Sequence, residues 1–226
     1  MMTAARSTDR SALAARVAGI YLLTPDVGRD GVDGRAEKIE LALAAGVSVV
    51  QYRNKLASAG ERRIQAEALQ RMAVDHGALF IINDDIDLAV ELGAEGVHLG
   101  REDGDIAAAR MRLPQRLLGV SCYNDLDRAA RAVAAGADVL AFGSVFASST
   151  KPHAVPASLD IVRQARARFA HQRIVAIGGI SRTNNGAVAA AGAHAAAVIS
   201  AVFDAADTGQ AVRELQDQFS QGTGSA

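Results

Sequence analysis

A few short runs in this chain carry residues suited to a multiply charged anion. Gln51, Arg53, Asn54 and Lys55 lie within QYRNK, and Lys151 closes the hydroxyl-rich run Ser148-Ser149-Thr150-Lys151. Asn83 and Asp84 lie in INDD, and Asp103 lies in REDGD. Cations neutralise phosphate oxygens, and two carboxylates with a phosphate are a typical Mg2+ set, because that ion keeps waters and borrows substrate oxygens. Ser121, Gly178-Gly179 and Ile199-Ser200 add small positions where hydroxyls or backbone N–H groups can meet phosphate. A Ser-His-Asp or Cys-His set is lacking, and no His or Cys cluster suggests zinc.

Each of these residues also has an ordinary structural reading. An inward-facing Arg53 can be a buried ion pair with Asp84 or Glu102. Asp84-Asp85 and Asp103 can cap helices, Gly178-Gly179 can be a tight strand-to-helix turn, and Lys55 and Lys151 can be solvated. His98, in the middle of GVHLG, reads first as a satisfied core histidine.

The elements that position these residues decide between the readings. Eight aliphatic runs bounded by Gly, Asp or Asn read as strands: GIYLLTP, VSVVQYR, ALFIIND, GVHLG, LLGVS, VLAFGS, RIVAIGG and AAAVIS. Ala-rich, charge-studded stretches of helical spacing separate them. Gly46, Gly93, Gly136 and Gly192 follow predicted helices as closing residues. No GxGxxG follows the first strand. Eight strand–helix units predict a single-domain α/β (β/α)8 barrel rather than a doubly wound sheet. We expect an N-terminal extension over residues 1–18, the barrel over 19–219 and a flexible tail over 220–226. In that fold these polar residues fall at the C-terminal strand ends, where barrel active sites lie. Gln51 and Arg53 alternate with Val50 and Tyr52 and so share one strand face.

Composition narrows the classes. The 226 residues are 50% hydrophobic, enough for a large core, and 24 basic against 25 acidic residues leave a net charge of -1. That balance offers no global field for nucleic acid or an anionic membrane. With 4% aromatic residues and no Trp, a base-stacking platform is disfavoured. Cys122 is the single cysteine, which excludes an internal disulfide. No run of 18 apolar residues suggests a membrane span, and the N-terminus lacks the apolar core of a secretory signal, so a cytoplasmic protein is expected.

QYRNK, INDDIDLAVELGAEGVHLGREDGD, GVSCYND, AFGSVFASSTKP and AIGGIS…N…AGAHAAAVISAVF resemble, in order and spacing, the thiamine phosphate synthase family. The resemblance runs from about the first strand to the last. It implies a transferase that joins 4-amino-2-methyl-5-hydroxymethylpyrimidine diphosphate to thiazole phosphate, giving thiamine phosphate and pyrophosphate. It implies that Gln51, Tyr52, Arg53, Asn54, Lys55, Asn83, Ser121 and Lys151 hold the pyrimidine diphosphate. Arg53, Lys55, Ser121 and Lys151 would act on the chemistry. Ser148, Thr150, Gly179, Ile199 and Ser200 would hold thiazole phosphate, and Asp84 and Asp103 would ligate Mg2+. Three positions depart from the usual pattern: Ser148 stands for Thr, Arg101 for Gln, and Tyr123 for His.

Two alternatives remain beside this reading: a thiazole tautomerase-like isomerase of the same fold, and a barrel that only binds a phosphorylated ligand. The isomerase would need a proton shuttle but neither a metal pair nor paired cations. Small-molecule substrates are expected as partners, without nucleic acid or membrane; the oligomeric state stays open, a homo-oligomer included. Met1–Val17 is expected to be dispensable.

Overall fold

The computed structural model describes residues 9–26, 33–147 and 156–224. Eight parallel strands close into a barrel in sequence order. They are β1 (Gly19–Leu23), β2 (Val49–Tyr52), β3 (Leu79–Asn83), β4 (Gly96–Leu99), β5 (Leu117–Tyr123), β6 (Val139–Gly143), β7 (Arg173–Ile177) and β8 (Ala195–Val198). Closure pairs Ile20 with Ala196 and Leu22 with Val198. Every predicted strand is present.

The helices are α1 (Arg10–Ala15), α2 (Asp33–Ala44), α3 (Ala59–Asp75), α4 (Ile86–Leu92), α5 (Ile106–Arg112), α6 (Leu126–Ala134), α7 (Leu159–Arg168), α8 (Asn185–Ala190), α9 (Ser200–Phe203) and α10 (Thr208–Thr223). The four predicted closing glycines all take positive φ. Asp85 caps α4 by accepting from the Leu88 N–H. The cap of α5 is Asp105, not Asp103, since Asp105 accepts from Ala108 N–H.

Strand alternation produces two cores. Ile20, Leu22, Val50, Phe80, Leu118, Phe142 and Ile174 face outward into the layer between strands and helices. Tyr21, Val49, Leu79, Ile81, Leu117, Val175 and Ala195 fill the barrel interior. Small residues on β8 admit the larger side chains opposite.

Both predicted boundaries shift. Leu13 and Val17 belong to the interior cluster, so residues 9–17 close the bottom of the barrel instead of fraying. Arg173 donates to the carbonyls of Ala15 and Val17, Arg16 donates to the Gly77 carbonyl, and Arg10 pairs with Asp138. At the other end, α10 continues through residues 220–223. Gly222 packs so closely on α8 that a Cβ there would lie 2.2 Å from the Gly186 carbonyl oxygen. Among the described residues no helix is long and apolar enough to cross a membrane.

Candidate active site

Gln51 and Arg53 both line the cavity at the C-terminal mouth of the barrel, together with Asn83, His98 and Ser121. Gln51 is buried, and its Nε2 donates to the Tyr21 hydroxyl at 2.8 Å. Its Oε1 has no hydrogen-bond partner among the described residues. A buried amide oxygen is costly to leave unpaired, so this one is suited to a donor on a ligand. Burial pushes the Tyr21 hydroxyl well above its ordinary range, against the Gln51 bond, so it stays protonated.

Arg53 does pair with a carboxylate, but neither Asp84 nor Glu102 supplies it. The partner is Asp26, just beyond β1. The same carboxylate accepts from the Lys55 backbone N–H at 2.7 Å. Burial alone would raise Asp26, but the Lys55 N–H and the Arg53 guanidinium hold it below the usual carboxylate range. Tyr52 hydroxyl and Asn54 Nδ2 both donate to Gln65 Oε1 on α3, at 2.8 and 3.0 Å. The alternation that sends Gln51 and Arg53 inward sends Tyr52 outward. Tyr52 and Asn54 so brace the segment, and both line a hollow shared with Arg53, Lys55, Asn83 and Asp84.

The two expected metal-ligating carboxylates meet. The carboxyl groups of Asp84 and Asp103 interact directly, and Lys55 Nζ lies 3.0 Å from Asp84 Oδ2. Asp84 has φ 66, a conformation uncommon outside glycine, and its N–H is held by the His98 carbonyl at 2.9 Å. Burial and the neighbouring Asp103 raise the Asp84 carboxyl above its ordinary value. Burial also acts on Asp103, but the bonds from Asp84 and from the Gly100 N–H bring it below. One proton between two carboxylates is the expected response of like charges forced together. The Asp84 bond and charge raise Lys55 against its partial burial, so it is cationic.

Next to them, His98 Nε2 lies 2.9 Å from Ser121 Oγ. Gly119 makes room for this ring: a Cβ there would fall 2.5 Å from His98 Nδ1. His98 is therefore a wall of the mouth rather than a plain core residue. A register shift between Ser121 and Tyr123 re-aims the end of β5. Tyr123 stacks under Arg101, with 4.7 Å from guanidinium to ring centre, and its hydroxyl accepts from the Arg101 N–H. Arg128 donates to the carbonyls of Ser121 and Gly100 and so ties the two strand ends together. Sequence reasoning singled out neither Asp26 nor Arg128. Cys122 is buried behind the site, and burial pushes its thiol up to about 12.

Across the mouth, Gly178, Gly179, Ile199 and Ser200 line the same cavity. Asn184 fixes this turn by donating to the Gly179 carbonyl and accepting from Ser181 N–H. Gly179 has φ 60, and a Cβ there would lie 2.1 Å from the Ala147 carbonyl oxygen. Glycine is thus required by conformation and by space. Ser148, Thr150 and Lys151 lie outside the described residues.

A parallel eight-stranded barrel with cations, a carboxylate pair and a glycine turn at its C-terminal mouth has the layout of a barrel enzyme. A family model described as thiamine monophosphate synthase matches residues 20–202. The thiamine-phosphate synthase of Chromobacterium violaceum is 52% identical over 206 residues, covering 90% of this chain and 97% of that relative. That of Halorhodospira halophila is 48% identical over 208 residues, covering 90% and 95%. The solved thiamine phosphate pyrophosphorylase from Pyrococcus furiosus superposes with TM-score 0.82 at 31% identity, covering 92% of this chain and 98% of that one. This chain belongs to the thiamine monophosphate synthase family.

Proposed function

We propose that this enzyme joins 4-amino-2-methyl-5-hydroxymethylpyrimidine diphosphate to thiazole phosphate, forming thiamine phosphate and releasing pyrophosphate. The observation that carries the reading is one cavity with two anion-suited sides. Gln51, Arg53, Asn83 and Ser121 line one side, and Gly178, Gly179, Ile199 and Ser200 line the other. Two phosphorylated substrates can then lie face to face, which replaces a bimolecular encounter by a positioned one.

On the first side, Arg53, Lys55 and Lys151 neutralise the diphosphate, and Ser121 donates to it. Gln51 Oε1 accepts from the pyrimidine amine. On the second side, Ser148, Thr150 and Ser200 and the backbone at Gly179 and Ile199 hold the thiazole phosphate. The methylene carbon–oxygen bond breaks with its electron pair leaving on pyrophosphate. The thiazole nitrogen lone pair then forms the new carbon–nitrogen bond. No proton has to be removed by the protein in either step. Val139, Ala141, Val175 and Ile177 give the cavity an apolar floor that keeps water from the electron-poor carbon.

Asp84 and Asp103 fit a Mg2+ ion, since two interacting carboxyl groups of neighbouring strand ends are the oxygen donors that ion takes. Among the described residues no third His, Cys, Asp or Glu joins them, so water and substrate oxygens would complete the shell. Bound there, the ion supplies positive charge to the departing diphosphate.

The test is pyrophosphate release on mixing the protein, Mg2+ and both substrates. Release that requires both substrates supports the reading; a thiazole isomerised without pyrophosphate release would instead assign the His98–Ser121 pair to proton transfer.

A further inference from the structure

The transfer reaction gives no role to one carboxylate at the rim. Four hydrogen bonds join the end of β1 to the Arg53–Lys55 segment. The Thr24 hydroxyl accepts from the Arg53 N–H and donates to the Arg53 carbonyl, both at 2.8 Å. Asp26 Oδ1 accepts from the Lys55 N–H at 2.7 Å, and Asp26 Oδ2 accepts from Arg53 Nη1. One carboxylate therefore fixes the backbone of one cation and the guanidinium of the other.

A brace for the backbone needs only an acceptor facing the Lys55 N–H. The negative charge on Arg53 goes beyond that need. An arginine half-buried in a barrel mouth would be costly without a counter-ion while the site is empty. Asp26 supplies one, yet the Asp26 side chain is 30% exposed and that of Arg53 18%, so solvent-borne anions reach the pair. The pair is partly buried yet open on one side, so an anion from solvent can compete with Asp26 for the guanidinium. The bond uses one nitrogen of a guanidinium that offers five N–H groups. A phosphate can thus take over the fork, but it does so against the nearby Asp26 charge.

We propose that Asp26 is a positioning residue and the resident counter-ion of the anion site. It holds Arg53-Asn54-Lys55 in the receiving conformation and yields Arg53 to an incoming diphosphate. Its retained charge then limits how tightly the leaving pyrophosphate is kept. This rests on the reading that Arg53 and Lys55 receive a diphosphate.

Asp26→Asn separates the two duties, because an amide oxygen still accepts from Lys55 N–H while the charge is gone. The probe is inorganic pyrophosphate, titrated calorimetrically into the full chain with Mg2+ present. The proteins compared are the parent, Asp26→Asn, Asp26→Gln and Arg53→Ala. Expected is binding about fivefold tighter in both amide variants, which keep the acceptor and lose the charge, the scale of one lost surface charge contact. Pyrophosphate should become a stronger product inhibitor by a similar factor. Arg53→Ala should bind at least about tenfold more weakly, as loss of a charge-assisted contact predicts. Unchanged or weaker binding in an Asp26→Asn protein that melts like the parent overturns the counter-ion role; should that variant not fold, Asp26→Gln decides. A parent that binds no pyrophosphate, or an Arg53→Ala protein that binds it equally well, removes the diphosphate reading and this inference together. Weakening by Arg53→Ala without tightening at Asp26 removes the inference alone.

Discussion

The carboxyl groups of Asp84 and Asp103, carried beyond β3 and β4, interact directly while Lys55 Nζ holds Asp84 at 3.0 Å. Like charges persist at this range only with a proton or a cation between them.

Asp84→Asn should therefore lower turnover strongly and raise the Mg2+ concentration needed for half-maximal rate. Initial rates across a Mg2+ series, with a chelator control, test this. A variant that turns over like the parent in excess chelator would take the metal away from Asp84.

Lys151→Ala should lower kcat by about 10²–10³, the usual effect of removing one preorganised donor to developing charge. Diphosphate affinity should change less, because the contact strengthens as pyrophosphate leaves. Steady-state kinetics in both substrates, with direct binding of the pyrimidine diphosphate, separate the two effects. An unchanged kcat would make Lys151 an ordinary solvated lysine.

The N-terminal segment should matter for stability, contrary to expectation from sequence. Leu13 is 5% exposed within the interior cluster, and Leu13→Ala should cost about 2–4 kcal/mol. Deleting residues 1–17 removes Val17 as well and should cost more. Urea unfolding measures both, and a deletion variant with the parent midpoint would show that the bottom of the barrel needs no cover.

Gly119→Ala should push His98 off Ser121, since the added methyl would start 2.5 Å from the ring. Turnover should fall well before stability does, because the mouth can give way by rotating one side chain. Parallel melting curves and kcat values decide. Equal losses in both would mean that the clash is relieved through the strands instead.

His194 gives a pH signature. Its Nδ1 accepts from the Ile174 N–H at 2.9 Å, and burial, helped by Arg173 and Arg166, lowers its value from 6.5 to about 4. The neutral ring is thus favoured in the folded state. Its stabilisation is complete above about pH 6.5 and is lost as pH falls toward about 4. Urea midpoints across that window should decline for the parent and decline less for His194→Asn, whose amide can accept without titrating. Parallel profiles would place the acid sensitivity elsewhere.

The sequence by itself determined the barrel and much of its mouth. Eight aliphatic runs with closing glycines allow little other than eight strand–helix units, because period and turn chemistry are local properties. The same period put Gln51 and Arg53 inward, and should have put Tyr52 outward. Tertiary structure alone chose the partners. Arg53 meets Asp26, 27 residues away, because parallel pairing lays the end of β1 beside the end of β2. Leu13 and Val17 are buried because an open barrel bottom exposes the interior side chains of several strands, a surface that no single stretch of sequence displays. The Asp84–Asp103 contact needed both: the aspartates are evident in the sequence, while the β3–β4 register and the left-handed turn at Asp84 aim them at each other.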